Sequence, residues 1–295
     1  MLKHLTGRSY CLETPGAVLG IYLEDDRHCL LIDSGEAAHG PQVVDILKEQ
    51  GWIVSALINT HAHADHCGAN RIIAEAFAAP VYASALEKVF LENPELIPYT
   101  LFSAHPPRSL ANRFIMPPVS PPAQVIEPGS QMVGCTPLDI VDLSGHTPGQ
   151  IGIITPDGVL FAGDSLISDQ AYSAFPCPVV VDVQKQLASL DRLQETSYNA
   201  LCISHGGRIE QASSLLDRNR EWLRQLIDEV VESLPGRPMS REEITGRIIA
   251  QRELTVNTTQ YYLVWSTVSA VISYLLDHRL ITALHQPTGI AYISK

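Results

Sequence analysis

The chain has 295 residues, 45% hydrophobic and 18% charged, a balance that argues against a disordered polymer and allows a sizeable buried core. Its net charge of −12 argues against broad binding to nucleic acid or to anionic membranes. From residue 215 onward nine Lys/Arg balance nine Asp/Glu, so the acidic excess lies wholly in the first 214 residues.

The opening segment, MLKHLTGRSYCLETPGAV, lacks the long apolar core of a signal peptide. No stretch approaches the roughly 20 apolar residues of a membrane span, so a cytoplasmic location away from membranes is expected. Residues 9–32 read as a meander of two or three strands, SYCLET, AVLGIYLE and HCLLID, punctuated by Gly16, Gly20 and Glu24-Asp25-Asp26. The last of them ends at Asp33. Gly40-Pro41 opens a helix through Val44, Leu47 and Lys48. Residues 53–58 read as a buried strand, and the apolar residues from Gly68 through Ile72, Ile73 and Phe77 have helical spacing.

Between that strand and that helix lies NTHAHADHCGAN, which packs His61, His63, Asp65 and His66 into six consecutive positions. Ligands tend to bind at such a strand end in α/β sheets, and imidazoles and carboxylates are the usual ligands of zinc and similar divalent ions. His61 and His63 can lean toward one ion, and Asp65 and His66 can face a second. A lone histidine would read as part of a polar turn; three with a carboxylate read as a metal site.

A short strand at Val81-Tyr82 follows. Residues 86–123 then break the alternation with eight Pro. A segment this long is usually functional or disordered; with Phe102, Phe114 and Met116 it is expected to be an inserted helical or irregular wall of the substrate pocket. Strands QVIEP, QMVGC and LDIVDLS lead to a second polar loop, SGHTPG, which holds His146. IGIITPDG and VLFAGD form a hairpin through Asp157-Gly158 that ends at Asp164. A helix over 184–196 and strand ALCIS lead to His205. Four strands thus end in Asp33, the His61–His66 cluster, Asp164 and His205, with His146 in a comparable loop. Any one of them could cap a turn; their recurrence at strand ends points to a single site.

None of the six Cys is paired as C-x-x-C, and buried free thiols suit a reducing compartment. Cys67, beside His66, is expected to line the pocket at most. From about residue 212 the chain turns helical. One helix covers 213–234 and stops at Pro235-Gly236. Ser240 and Glu243 have capping-box spacing, and Val268, Val271, Ile272, Leu275 and Leu276 form an apolar helical stripe. ITALH and IAYIS flank a turn at Gln286-Pro287-Thr288-Gly289. The expected division is a catalytic domain at 1–211 and a small winged-helix-like domain at 212–295. The balanced charge of the second is expected to keep it off nucleic acid and to leave it packing on the catalytic domain or on a second subunit of a homodimer.

The motifs HAHADH at 61–66, His146 in SGHTPG, Asp164 in AGDSL, His205 in SHGG and Asp33 in LIDSG, in this order, resemble the metallo-β-lactamase superfamily. The tail resembles the winged-helix extension of some members. The resemblance implies an α/β fold, a four-layer αββα sandwich with a dinuclear site at one edge. Position by position, it implies that His61, His63 and His146 hold one metal and Asp65, His66 and His205 the second. Asp164 would bridge the two, and Asp33 would support them from behind. Two divalent ions are implied, zinc first, with iron or manganese as alternatives. The implied reaction is attack by a metal-activated water on a small ester, thioester or lactone, as in glyoxalase II and lactonases, with Asp65 and Asp164 as catalytic residues. Two rival readings are a mononuclear iron persulfide dioxygenase, which needs only His61, His146 and Asp164, and a nucleic-acid-processing hydrolase. The stretch after Asp164, SLISDQAYSAFPCP, lacks the Cys-Gly-Arg-like run typical of glyoxalase II enzymes. Tyr172 lies eight residues past Asp164, further than in the quorum-quenching lactonases, and is carried as a pocket residue.

Overall fold

The first sheet grows strand by strand in chain order: β1 (Leu2–Thr6), β2 (Ser9–Glu13), β3 (Val18–Leu23), β4 (His28–Ile32), β5 (Ile53–Ile58), β6 (Val81–Ala83) and β7 (Ala123–Val125). Neighbours are antiparallel up to β4 and parallel from β4 to β7. Parallel neighbours need long crossovers. These carry α1 (Gly40–Glu49), α2 (Ala64–Cys67), α3 (Asn70–Phe77), α4 (Ala85–Glu92) and α5 (Leu96–Phe102). The computed structural model describes residues 1–177, 179–234, 236–287 and 289–295. The helix stop at Pro235 and the turn residue Thr288 lie outside the described residues.

The second sheet has the order β13-β12-β11-β10-β9-β8. Its strands are β8 (Gly129–Val133), β9 (Thr136–Asp142), β10 (Ile151–Ile154), β11 (Val159–Phe161), β12 (Ala200–Ile203) and β13 (Gly207–Ile209). β10 and β11 form the expected hairpin, and β11 and β12 run parallel. That last pair is bridged by α6 (Asp169–Ala174) and α7 (Val183–Glu195).

The two sheets face each other through one apolar cluster, with Leu30, Ile32 and Ile58 from the first meeting Ile140, Ile153 and Phe161 from the second. Val43, Leu47 and Ile73 of α1 and α3 cover the outer face of the first sheet. Leu190 and Leu193 of α7 cover the outer face of the second, together with Leu215 and Leu216. Each such side chain, fully buried, contributes about 1.5–3 kcal/mol. The result is the expected helix–sheet–sheet–helix sandwich.

The tail contains α8 (Ala212–Glu232), α9 (Arg241–Gln251), α10 (Thr258–Asp277) and the hairpin of β14 (Ile281–Gln286) and β15 (Gly289–Ser294). The capping box at Ser240 and Glu243 is formed, and a second one joins Asn257 to Gln260. Val268, Val271, Ile272 and Leu275 are buried as the stripe requires. The first turns of α8 pack on the second sheet, whereas Leu223, Leu226 and Val230 belong to a separate cluster with α9 and α10. Cys177 and Val180, from the segment leading into α7, and Val183 at its start join that cluster too. The tail is therefore rooted in the sandwich through one continuous helix. Among the described residues no helix is long and apolar enough to cross a membrane.

Candidate metal centre

Every polar group that the sequence placed at a strand end arrives at one edge of the sandwich. His61 and His63 lie in the loop after β5, and Asp65 and His66 on the single turn of α2. His146 comes from the loop between β9 and β10, Asp164 from the loop after β11, and His205 from the turn after β12. Two glycines allow the close approach. Gly145, at φ +140°, lies so near α7 that an added Cβ would be 2.5 Å from Gln186 Cα. Gly163, at φ +56°, presses on the Thr60 side chain.

Three side chains converge first. His61 Nε2 lies 3.1 Å from His63 Nδ1, and His146 Nε2 lies 3.0 Å from the same atom. A second set surrounds a carboxylate. Asp164 Oδ2 is 3.5 Å from His66 Nε2, 3.2 Å from His205 Nε2 and 3.6 Å from His146 Nε2. Asp65 Oδ2 completes it at 3.3 Å from His205 Nε2 and 3.7 Å from His66 Nε2. Among the described residues three overlapping groups have donors close enough to hold an ion: His61–His63–His146, His61–His66–Asp164 and Asp65–His66–His205.

Hydrogen bonds fix which nitrogen the rings of His61, His66 and His146 present. Thr60 Oγ1 donates to Asp33 Oδ2 at 2.7 Å, so it can only accept from His61 Nδ1 at 3.1 Å. The Nε2 lone pair of His61 is then free. His146 Nδ1 donates to the Val179 carbonyl at 2.8 Å, which frees its Nε2 as well. His66 Nδ1 donates to Asp33 Oδ2 at 2.9 Å. Asp33, buried and at φ +60°, thus orients two rings, one directly and one through Thr60. A carboxylate behind a ligating imidazole is the usual way to fix its tautomer and raise its basicity.

The donor set fits divalent ions. Lone pairs 3 Å apart repel one another unless a proton or cation lies between them. Spacings of roughly 3.3 Å are the edges of a tetrahedron with ~2.0–2.1 Å arms. His66 Nε2 and Asp164 Oδ1 are buried without a hydrogen-bond partner, which is costly for polar groups unless a ligand satisfies them.

Electrostatics agree. Burial pushes the imidazoles of His61 and His146 down and His63 to about 3, which keeps these rings neutral. The Asp164 carboxylate, against the cost of burial, raises His205 to about 10. Burial would lower His66, but Asp164, Asp65 and Asp33 push it up instead. Burial would raise Asp65, yet His66 and His205 hold it at about 2. The carboxylates thus draw protons onto the two rings where a cation could sit.

Glu87 was not anticipated from the sequence. It is 1% exposed and accepts hydrogen bonds from Ala62 N, Thr147 Oγ1 and Gly149 N at 2.8–2.9 Å. It therefore ties the His61–His63 loop to the His146 loop. Ser84, the cap of α4, donates to Gly149 O at 2.6 Å. One signal was available: Glu87 and Leu91 share a helix face at i and i+4, so a carboxylate lies on the buried side.

The other expected pocket residues separate. Phe114 lines a cavity of about 450 Å³ over the metal centre, beside Leu101. Phe102 packs edge-on against Tyr262, with centroids 5.4 Å apart, and is not among the lining residues. Tyr172 stacks on Trp222 at 3.9 Å and accepts from Arg252, also away from the lining. Met116 lines a neighbouring hollow. Cys67 is buried in the core behind the first sheet rather than in the pocket.

Fold and site together define a two-sheet sandwich with a His/Asp centre suited to divalent metal. The chain belongs to the metallo-beta-lactamase superfamily, whose family model matches residues 14–205. A hydroxyacylglutathione hydrolase from Erythrobacter litoralis is 30% identical over 144 residues, which are 46% of this chain and 45% of that protein. The match thus spans less than half of that relative. A beta-lactamase domain protein from Burkholderia ambifaria superposes with a TM-score of 0.75 at 19% identity, over 100% of this chain and 93% of its own. A metallo-beta-lactamase family protein from Thermus thermophilus gives 0.75 and 19%, over 98% and 99%. These two extend the shared fold through the C-terminal helices.

Proposed function

We propose that the chain is a dinuclear metal hydrolase acting on a small ester, thioester or lactone. The observation that carries this is the position of Asp164 between two separate donor groups on the floor of a cavity. His61, His63 and His146 would hold one ion, Asp65, His66 and His205 the other, and Asp164 both. Zinc is the first choice for this donor set, with iron and manganese as alternatives. Ions held there supply a nucleophile by lowering the pKa of a water, and polarise the substrate carbonyl. The chain's own part is to fix the donors. Asp33 and Thr60 set the His61 and His66 rings, the Val179 carbonyl sets His146, and Glu87 holds the two loops in register. Asp65, which lines both hollows around the centre, would also orient a water through a carboxylate oxygen. The relatives named hydroxyacylglutathione hydrolase support a thioester among the candidates. A panel of thioesters, esters and lactones with zinc-loaded protein tests the reading. Turnover that disappears in Asp164→Ala supports it. No turnover of any of them by protein with a full metal complement contradicts it.

A further inference from the structure

We infer that the cavity selects a bulky, uncharged, apolar acyl group, and that α10 of the C-terminal unit supplies part of the selecting wall. The inference rests on the hydrolase reading for the acyl bond itself; the preference for apolar bulk rests on the cavity.

The cavity holds about 450 Å³, within the ~300–1,000 Å³ typical of small-molecule sites. One end is the metal centre. The walls away from it include Phe90, Leu101, Phe114, Val181 and Leu263. Among the described lining residues there is no Lys or Arg, and the acids are Asp65, Glu87 and Asp164. Glu87 already accepts three hydrogen bonds from the chain. Of the wall hydroxyls, that of Thr100 donates to Ile97 O. An anion at the apolar end would lose its water and gain no cation in exchange, which is strongly unfavourable. An alkyl or aryl group there loses only contact with water.

The wall is shared between two parts of the chain. Asn112 of the Pro-rich insert donates to Thr259 on α10 at 2.8 Å, and Phe102 packs on Tyr262. The insert and α10 are thereby held together, and Leu263 and Ser266 reach the cavity from the helix. A second hollow of about 520 Å³ shares Asp65 and Phe114 with the first and carries Arg113. Among otherwise mostly apolar residues it also carries Glu36, so it offers a polar leaving group charged partners that the far wall of the first cavity lacks, and the acyl group takes the first cavity.

The test uses zinc-loaded protein and N-acetylcysteamine thioesters of acetic, butanoic, hexanoic and octanoic acids, with the ω-carboxy analogue of the octanoyl compound. kcat/KM is expected to rise about fourfold per methylene that reaches the wall, and the ω-carboxy analogue to fall at least tenfold below octanoyl. Leu263→Ala should lower the octanoyl-to-acetyl ratio. In parallel, calorimetry with the non-hydrolysable S-octyl and S-ethyl thioethers reads binding without turnover. Hydrolysis with a flat chain-length series, or a preference for the ω-carboxylate, overturns the inference and leaves the hydrolase reading standing. Tighter octyl binding that weakens in Leu263→Ala, without turnover of any ester, supports the pocket and overturns the hydrolase reading. Neither turnover nor chain-length-dependent binding overturns both.

Discussion

Glu87 shows how a residue can govern the site without belonging to any visible motif. The clustered ligands stand out because four of them fall within six positions, and because His146, Asp164 and His205 each follow an apolar strand. Thr60, Val179 and Glu87 gain their roles only when folding brings distant loops together; spacing could mark Glu87 as buried beside Leu91 but could not reveal the partners of any of the three. Glu87→Ala would leave the buried donors Ala62 N and Thr147 Oγ1 and the half-buried Gly149 N without acceptors, at about 1–3 kcal/mol for each fully buried group. We expect a loss of about 3 kcal/mol or more in denaturant unfolding of metal-free protein; a loss within ~0.5 kcal/mol, ordinary for a surface change, would show that the loops do not depend on it. His205 supplies a pH signature. Its raised pKa, about 10 and caused first by Asp164, contributes stability to metal-free protein that is fully present below the ordinary value of about 6.5. That stability is lost as pH rises from there through about 10. An ion that displaces the proton gains as the proton is lost. The rise in melting temperature on adding zinc should therefore be larger at pH 8.5 than at pH 6.5, and a smaller rise at the higher pH would contradict the assignment.

Long periodic elements were readable in advance: β5, α1, α7, α10 and the β10–β11 hairpin all fall where pattern and turn chemistry put them. Short or exposed ones were not. β1 shows mostly exposed or half-exposed side chains as an edge strand, and α6 and β13 are too brief to carry a period. Phe102, at the end of α5, and Tyr172, in α6, misled as pocket residues because an aromatic on a helix too short to show a period has no sequence mark of its packing partner; here these are Tyr262 and Trp222. The division before residue 212 falls at the head of α8, a helix that serves both sides. We expect residues 1–211 alone to lack a cooperative unfolding transition, because Leu215 and Leu216 would leave the second sheet and Val180 and Val183 would lose their cluster. A cooperative transition in calorimetry of that fragment would contradict this. Arg252 is the polar half of the same joint: it pairs with Glu229 at 2.7 Å and donates to Tyr172 Oη and Pro176 O. Arg252→Ala should cost about 2–3 kcal/mol, just below the range for breaking a fully buried pair, as Glu229 is partly exposed. An unchanged denaturation midpoint would assign the joint to apolar packing alone.

At the scale of the molecule, the sandwich brings strand ends from both sheets to one edge, and the C-terminal helices close over that edge from the side. The acidic excess of the first 214 residues includes Asp33, Asp65 and Asp164, whose charge is useful only where cations gather. The proposed role of this edge is to hold two ions and hydrolyse an acyl bond. It is tested most directly by metal analysis of the purified protein alongside thioester turnover and oxygen uptake with a persulfide, on wild type, Asp164→Ala and His205→Ala. Wild type is expected to hold two divalent ions per chain, Asp164→Ala to lose hydrolysis, and His205→Ala to show lower occupancy of the second site. One iron per chain, oxygen consumption with the persulfide and no effect of His205→Ala would contradict the proposed role.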